Sequence, residues 1–212
     1  MIRVVKDPDE RKEELIDKAE KLFVKYGYDE VSVSDIVKKA GVAQGTFYYY
    51  FKSKDEMRNA IIEKNIEEVK RLIDSIIFNK DMTALDKMAA YSYSFQQWSR
   101  EKGKMMDYIH EEKNEVLHYR MSRRVLGYLI PAYTQIIEQG VEEGIFNTEN
   151  PDLGARAIMG IIEAIFEDDH AHKLEDPETK RKYLAILDYT EKILGAESGL
   201  FIKFAKEKGV DI

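Results

Sequence analysis

The chain reads as all-α, and three observations predict this. Apolar residues recur every three to four positions along most of its length, as in Leu15, Ala19, Leu22, Phe23 and Tyr26. Strand-like alternation is hard to find. The 4 prolines and 12 glycines are few, and several stand where a periodic run ends. With 212 residues, the chain can hold one large domain or a small domain joined to a larger one.

The elements follow in order. A first helix spans Asp9 to Tyr26, with Gly27 as its stop. Ser32 opens a second, short helix, and Asp35 stands at the third position of a capping-box-like motif. Ile36, Val37 and Ala40 give that helix its apolar side. Gly41 ends it, free to take a left-handed conformation. A third helix runs from about Gln44 to Tyr50. A long fourth begins near Lys54 and continues through Met57, Ile61, Val69, Leu72, Ile73 and Ile76. Helix, short helix, glycine turn, short helix is the helix-turn-helix order. Later helices are expected near 82–100, 103–111, 114–140, 151–171 and 178–195, with a tail helix near 198–208. Pro131 should kink the seventh.

Composition narrows the class. No cysteine is present, so there is no disulfide framework and no thiol chemistry. The first residues lack the apolar run of a secretory signal. No stretch of roughly 18 apolar residues could span a membrane. A cytoplasmic location is the expectation. The net charge of −7 falls beyond residue 60, since residues 1–60 hold 12 basic and 12 acidic side chains. Within that balanced part, Ile36 to Lys54 carries Lys38, Lys39, Lys52 and Lys54 and no acid. Such a patch on an acidic chain marks either an anionic partner or a solvated helix face.

The stretch "QGTFYYYFKSK" favours the partner. Phe47 and Phe51 are four apart and share one face, turned toward the first helix. Gln44, Thr46, Tyr48 and Tyr49 then face elsewhere, followed by Lys52 and Lys54. Gln bonds adenine in a bidentate manner, and Thr touches a thymine methyl or a phosphate. Tyrosine hydroxyls donate to phosphate oxygens, and lysines neutralise them.

"TFYYYFKSKDEM", preceded by "VSVSDIVKKAGVAQG" and by the helix ending "LFVKYGYD", resembles the N-terminal domain of tetracycline-repressor-like (TetR-type) transcriptional regulators over about residues 9–60. The resemblance implies a helix-turn-helix DNA-binding domain over residues 1–53 and an effector-binding and dimerisation domain over 54–212. It implies DNA contacts from Gln44, Thr46, Tyr48, Tyr49, Tyr50 and Lys54. It implies a weaker contact from Ser34, at a position that often holds a basic residue. Residues 1–8 are read as an arm whose Arg3 and Lys6 reach a minor groove.

The eighth and ninth helices are rich in apolar residues. The resemblance pairs them with their symmetry mates in a four-helix bundle, making the chain a homodimer with Ile158, Ile162, Ile165, Leu187 and Leu194 at the interface. Between the two ends lies an aromatic cluster: Met88, Tyr91, Phe95 and Trp98 on the fifth helix, then Tyr108, Tyr119, Tyr128, Tyr133 and Phe166. It either lines an effector pocket or is packed core. Tyr91, Phe95, Trp98, Tyr108, Tyr128, Glu163 and Phe166 are the ligand-binding candidates. Glu163, within the most apolar helix, needs a partner: an arginine, a tyrosine, a ligand cation or a residue across the dimer. A fatty acyl chain lined by Met88, Ile109, Met121 and Val125 is the rival to a flat aromatic effector.

"EDDHAH" (Glu167 to His172) offers acids and imidazoles, but its histidines are two apart, against the three or four of helical metal pairs. No metal site and no cofactor are expected. No phosphate loop, nucleophile elbow or zinc-protease motif appears, and catalysis is not expected. The function expected is a ligand-responsive regulator, a repressor released from palindromic double-stranded operator DNA by a small lipophilic or aromatic effector. The alternative is a helical carrier of small molecules without gene regulation, which would have no need of the segment from Gln44 to Lys54.

Overall fold

The computed structural model describes residues 7–102, 104–166 and 176–209. The elements are α1 (Pro8–Tyr26), α2 (Val33–Ala40), α3 (Gln44–Tyr50), α4 (Lys54–Ile77), α5 (Ala84–Lys102), α6 (Lys104–His110), a 3-10 turn (Glu112–Asn114), α7 (Glu115–Glu142), α8 (Pro151–Phe166), α9 (Pro177–Leu194) and α10 (Leu200–Glu207). Among the described residues there is no strand.

Local chemistry sets the first boundaries. The Asp7 carboxylate accepts from the Asp9 N–H, and Pro8 stands at the first turn, where a missing N–H costs nothing. At α2 the capping box is complete: Ser32 Oγ accepts from the Asp35 N–H and Asp35 Oδ2 accepts from the Ser32 N–H. Gly41 takes the left-handed conformation at φ 67°, ψ 35° and closes α2 onto the turn into α3.

The chain divides into two compact units, Met1–Glu68 with Glu101–Met121, and Val69–Arg100 with Ser122–Ile212. The first unit thus takes in much of α4 and all of α6. Met57, Ile61 and Ile62 of α4 and Met105, Tyr108 and Ile109 of α6 belong to the first unit's core, with Leu15, Phe23, Ile36, Phe47 and Phe51. Three short helices expose too much apolar surface to be a core alone, and α4 and α6 cover it.

The first unit also holds a charged knot. Glu20 of α1 accepts from Lys102 and Lys64, each at 2.7 Å. Lys102 reaches Glu68 at 2.8 Å, and Lys64 reaches Asp17 at 2.7 Å. Each buried charge thus meets more than one opposite charge, the condition under which such burial is tolerated.

The second unit's core gathers Val69, Ile73, Leu85, Met88, Leu129, Tyr133, Ile137, Ile158, Met159 and Leu194. Helix α7 continues through Pro131 to Glu142. Gly140 is buried against the Phe146 ring, which fills the space a Cβ would need. At the far end of α9, the buried Glu191 carboxylate accepts from the N–H groups of Gly199 and Phe201, capping α10.

Ile158 and Leu194, expected at a dimer interface, are 1% and 0% exposed within their own protomer. Both are spent in the second unit's core and have no surface to give a partner. The exposed line of α8 is instead Leu153, Ala157, Gly160 and Ala164, spaced to share one helix face. Ile162, Ile165 and Leu187 remain partly exposed.

Candidate functional site

Two features stand out, one in each unit. In the first, α3 is short and amphipathic. Phe47 is fully buried and Phe51 nearly so, with ring centroids 5.7 Å apart. This pins one face of α3 to the core. The opposite face is therefore thrown outward, with Tyr48 53% and Tyr49 77% exposed and Gln44 exposed beside them. Two large aromatic side chains at that exposure are unusual for a face with no partner. Thr46 is half-buried, and Ser34 is exposed on α2. Tyr50 differs from Tyr48 and Tyr49: it packs against the core and edge-on to Tyr49, 4.8 Å between centroids.

Lys54 is placed differently from expectation. Its ammonium donates to the backbone carbonyls of Tyr28 at 2.9 Å and Val31 at 3.0 Å. It also lies 4.1 Å from the centre of the Tyr28 ring. Two of the ammonium's three N–H groups are thereby committed to the α1–α2 connection. Lys38, Lys39 and Lys52 are the exposed cations near α3 in sequence. The Tyr28 hydroxyl donates to Asp55 at 2.7 Å, and burial together with that acceptor pushes the phenol far above its ordinary pKa.

Tyr108, a ligand candidate by sequence, belongs to this unit's core. Its ring lies tilted against that of Tyr28, 4.7 Å between centroids, and its hydroxyl accepts from Arg58 at 3.1 Å. It anchors α6 and is no part of a pocket wall. Ile109 and Met121 of the proposed acyl channel pack in this same core, whereas Met88 and Val125 pack in the second unit.

The second unit brings together Tyr91, Phe95 and Trp98. Their rings run along α5 nearly parallel, 6.0 Å apart at 23° and then 5.9 Å apart at 27°. Tyr133 of α7 meets Tyr91 edge-on at 5.6 Å. Tyr183 of α9 joins through a 2.9 Å hydrogen bond with Ser92. Tyr183 is not among the ligand candidates read from sequence, because its 91-residue separation from Ser92 carries no local signal. Burial raises the pKa of both Tyr91 and Tyr133, so both are neutral phenols.

Other candidates fall away from this array. Tyr128 donates to Asp74, with Lys70 over its ring, so its hydroxyl is already committed. Glu163 is exposed, and therefore needs neither a buried partner nor a ligand cation. The Phe166 side chain, the segment "EDDHAH" and the arm residues Arg3 and Lys6 lie outside the described residues.

Comparison with known proteins matches this architecture. Residues 15–61 match the family model "Bacterial regulatory proteins, tetR family", and residues 96–188 match the model "Tetracyclin repressor-like, C-terminal domain". The HTH-type transcriptional regulator YhgD of Bacillus subtilis is 27% identical over 183 residues, covering 80% of this chain and 90% of that protein. Among solved structures, RolR in complex with resorcinol superposes with a TM-score of 0.61 at 18% identity, covering 93% of this chain and 94% of that one. SmeT, the repressor of the Stenotrophomonas maltophilia multidrug efflux pump SmeDEF, superposes with a TM-score of 0.61 at 19% identity, over 89% and 91%. These structural likenesses carry the fold, and the two family models together span most of the chain. A buried-Phe, exposed-Tyr third helix in a helix-turn-helix order, joined to a matching C-terminal helical domain, makes this chain a member of the tetR family of bacterial transcriptional regulators.

Proposed function

We propose that this chain is a cytoplasmic homodimeric repressor that α3 seats in the major groove and that a small lipophilic or aromatic effector releases from its operator. The observation that carries the reading is the division of α3: Phe47 and Phe51 inward, Gln44, Tyr48 and Tyr49 outward. A helix so divided presents hydrogen-bonding side chains at a fixed angle, which a carrier protein has no use for. Gln44 reads a base edge, and Tyr48, Tyr49 and Thr46 bind phosphate or sugar. Ser34 adds a contact from α2, and Lys52 neutralises a phosphate. Lys54 acts one step back, holding the α1–α2 connection.

The exposed line Leu153, Ala157, Gly160 and Ala164, with the half-exposed Tyr189 of α9, supports pairing of α8 and α9 with a second copy. Small residues let helices approach closely. Two copies related by a twofold axis bind half-sites about 34 Å apart on a palindrome. An effector that binds better to a state with another spacing lowers DNA affinity by its differential binding energy. RolR is described in complex with resorcinol and SmeT in complex with triclosan, which supports an aromatic effector for this chain.

Selection of bound fragments from random DNA by the purified protein tests the reading. It should return a palindrome with two half-sites one helical turn apart, bound with a steep salt dependence. Recovery of no preferred sequence would overturn it.

A further inference from the structure

The effector reading rests on the aromatic array, and the array's own chemistry narrows what it takes. Three of its rings form a slab: Tyr91, Phe95 and Trp98 lie at 23° and 27° to one another along one side of α5. All three keep some accessible surface, whereas Met88 beside them is buried. A planar apolar group packed beside rings so aligned gains burial against them.

The polar groups of the array are all neutral. Tyr133 is 8% exposed, and among the described residues neither its hydroxyl nor that of Tyr91 has a hydrogen-bond partner. Neither oxygen is among the sealed, unpartnered buried atoms, so both hydroxyls reach accessible space and keep a proton to donate. A third donor is nearby. Ser92 and Tyr183 share one hydrogen bond between two hydroxyls, which leaves one of their two protons free.

Among the described residues, the groups that act electrostatically on Tyr91 and Tyr133 are other tyrosines, and no carboxylate or ammonium does so. Lys70 and Asp74 are occupied with Tyr128, and Lys87 is turned to the Ile77 carbonyl and to Gln139. Glu163 is exposed at the surface of α8. An ionised ligand would lose its hydration and find no counter-charge.

We propose that the effector is an uncharged, planar molecule carrying a hydrogen-bond acceptor such as a ketone, quinone or ester carbonyl, packed against Tyr91, Phe95 and Trp98 and held by the hydroxyls of Tyr91 and Tyr133. The slab supplies burial, and the two hydroxyls supply orientation. This rests on the array being the effector site.

Four probes built on one ring system separate the two claims: naphthalene, 2-acetylnaphthalene, 2-naphthoate and 2-naphthylmethylammonium. Binding is read by the emission of Trp98, the sole tryptophan, and by equilibrium dialysis. The ketone should bind most tightly, and the anion and cation at least about tenfold more weakly. Tyr91→Phe and Tyr133→Phe should each weaken the ketone by about threefold to tenfold, the worth of one hydrogen bond, and leave naphthalene unchanged. Unchanged naphthalene binding also shows that the variants are folded. If a charged probe binds as well as the ketone, or both variants keep full ketone affinity, the inference is overturned and the array still stands as an aromatic site. If none of the four binds, the array is not the effector site and both claims fall.

Discussion

The Lys54 ammonium donates to the Tyr28 carbonyl at 2.9 Å while lying 4.1 Å from the centre of the Tyr28 ring. The same nitrogen donates to the Val31 carbonyl at 3.0 Å. One side chain at the start of α4 therefore closes the connection between α1 and α2 through two charge-assisted bonds and a cation–π contact. Lys54→Met keeps the stem and removes the charge, leaving two carbonyls without that donor. It should lower stability by about 1–3 kcal/mol and leave the salt slope of operator binding near that of the parent. Lys52→Ala should do the reverse, reducing the slope by about one without lowering the melting temperature. Thermal unfolding and binding across salt concentrations check both. A flattened slope with an unchanged melt for Lys54→Met would return that lysine to the phosphate backbone.

The outward face of α3 separates reading from anchoring. Gln44→Ala should relax base preference at one position per half-site, at a cost of about 1–3 kcal/mol on the preferred base. If the Tyr48 hydroxyl bonds phosphate as proposed, Tyr48→Phe should weaken all sequences alike. Competition binding with single-base variants of the operator distinguishes the two patterns.

Gly140 has no room for a side chain. A Cβ there would fall 2.2 Å from Cδ2 of Phe146, a ring that is itself buried. Ala has the higher helix propensity, yet Gly140→Ala should destabilise by about 1–3 kcal/mol through overpacking. Gly140→Ala combined with Phe146→Leu should recover part of the loss, which denaturant titration will show.

Asp86 gives a pH-dependent tie. Lys208 near the end of α10 bonds its carboxylate at 2.8 Å, and the Thr83 hydroxyl donates to it at 2.7 Å. Together these hold its pKa below the ordinary value of 3.8. A depressed folded pKa means the contribution is full above the unfolded value and is lost as pH falls through the folded one. Asp86→Asn should therefore cost about 0.5–1 kcal/mol at pH 7. The gap to the parent should narrow steadily below about pH 4. A gap that stays constant with pH would show that the charge is not what ties α10.

Ala157 lies mid-way along the exposed line of α8 and away from the protomer's own core. Ala157→Arg should split the dimer while leaving the helical content and melting cooperativity of the monomer. Ile162→Lys is the poorer probe, since Ile162 packs partly against the second unit's core. Sedimentation at micromolar concentration checks the assembly, and a parent protein that sediments as a monomer overturns it.

The features legible in the chain alone are local. The Ser32–Asp35 box and the left-handed Gly41 are decided by neighbours within a few residues, so the second helix and its turn could be read directly, while the Asp7 cap and Pro8 move the start of the first helix one residue ahead of Asp9. The i, i+4 spacing of Phe47 and Phe51 likewise dictated which face of α3 turns outward. Which surface covers which is a matter of packing. Periodicity marks Ile158 and Leu194 as apolar but is silent on what buries them; in the folded chain both are buried within the protomer. A lysine's stem reaches over several ångströms, so Lys54 could be a clamp or a phosphate contact until the Tyr28 and Val31 carbonyls stood beside it. Tyr108 and Tyr91 look alike in sequence, yet one is bonded by Arg58 and the other has a free hydroxyl among the described residues. The reason is that hydrogen bonds and ring contacts between helices join residues 50 to 90 positions apart, and their partners are set by packing, which no local pattern encodes.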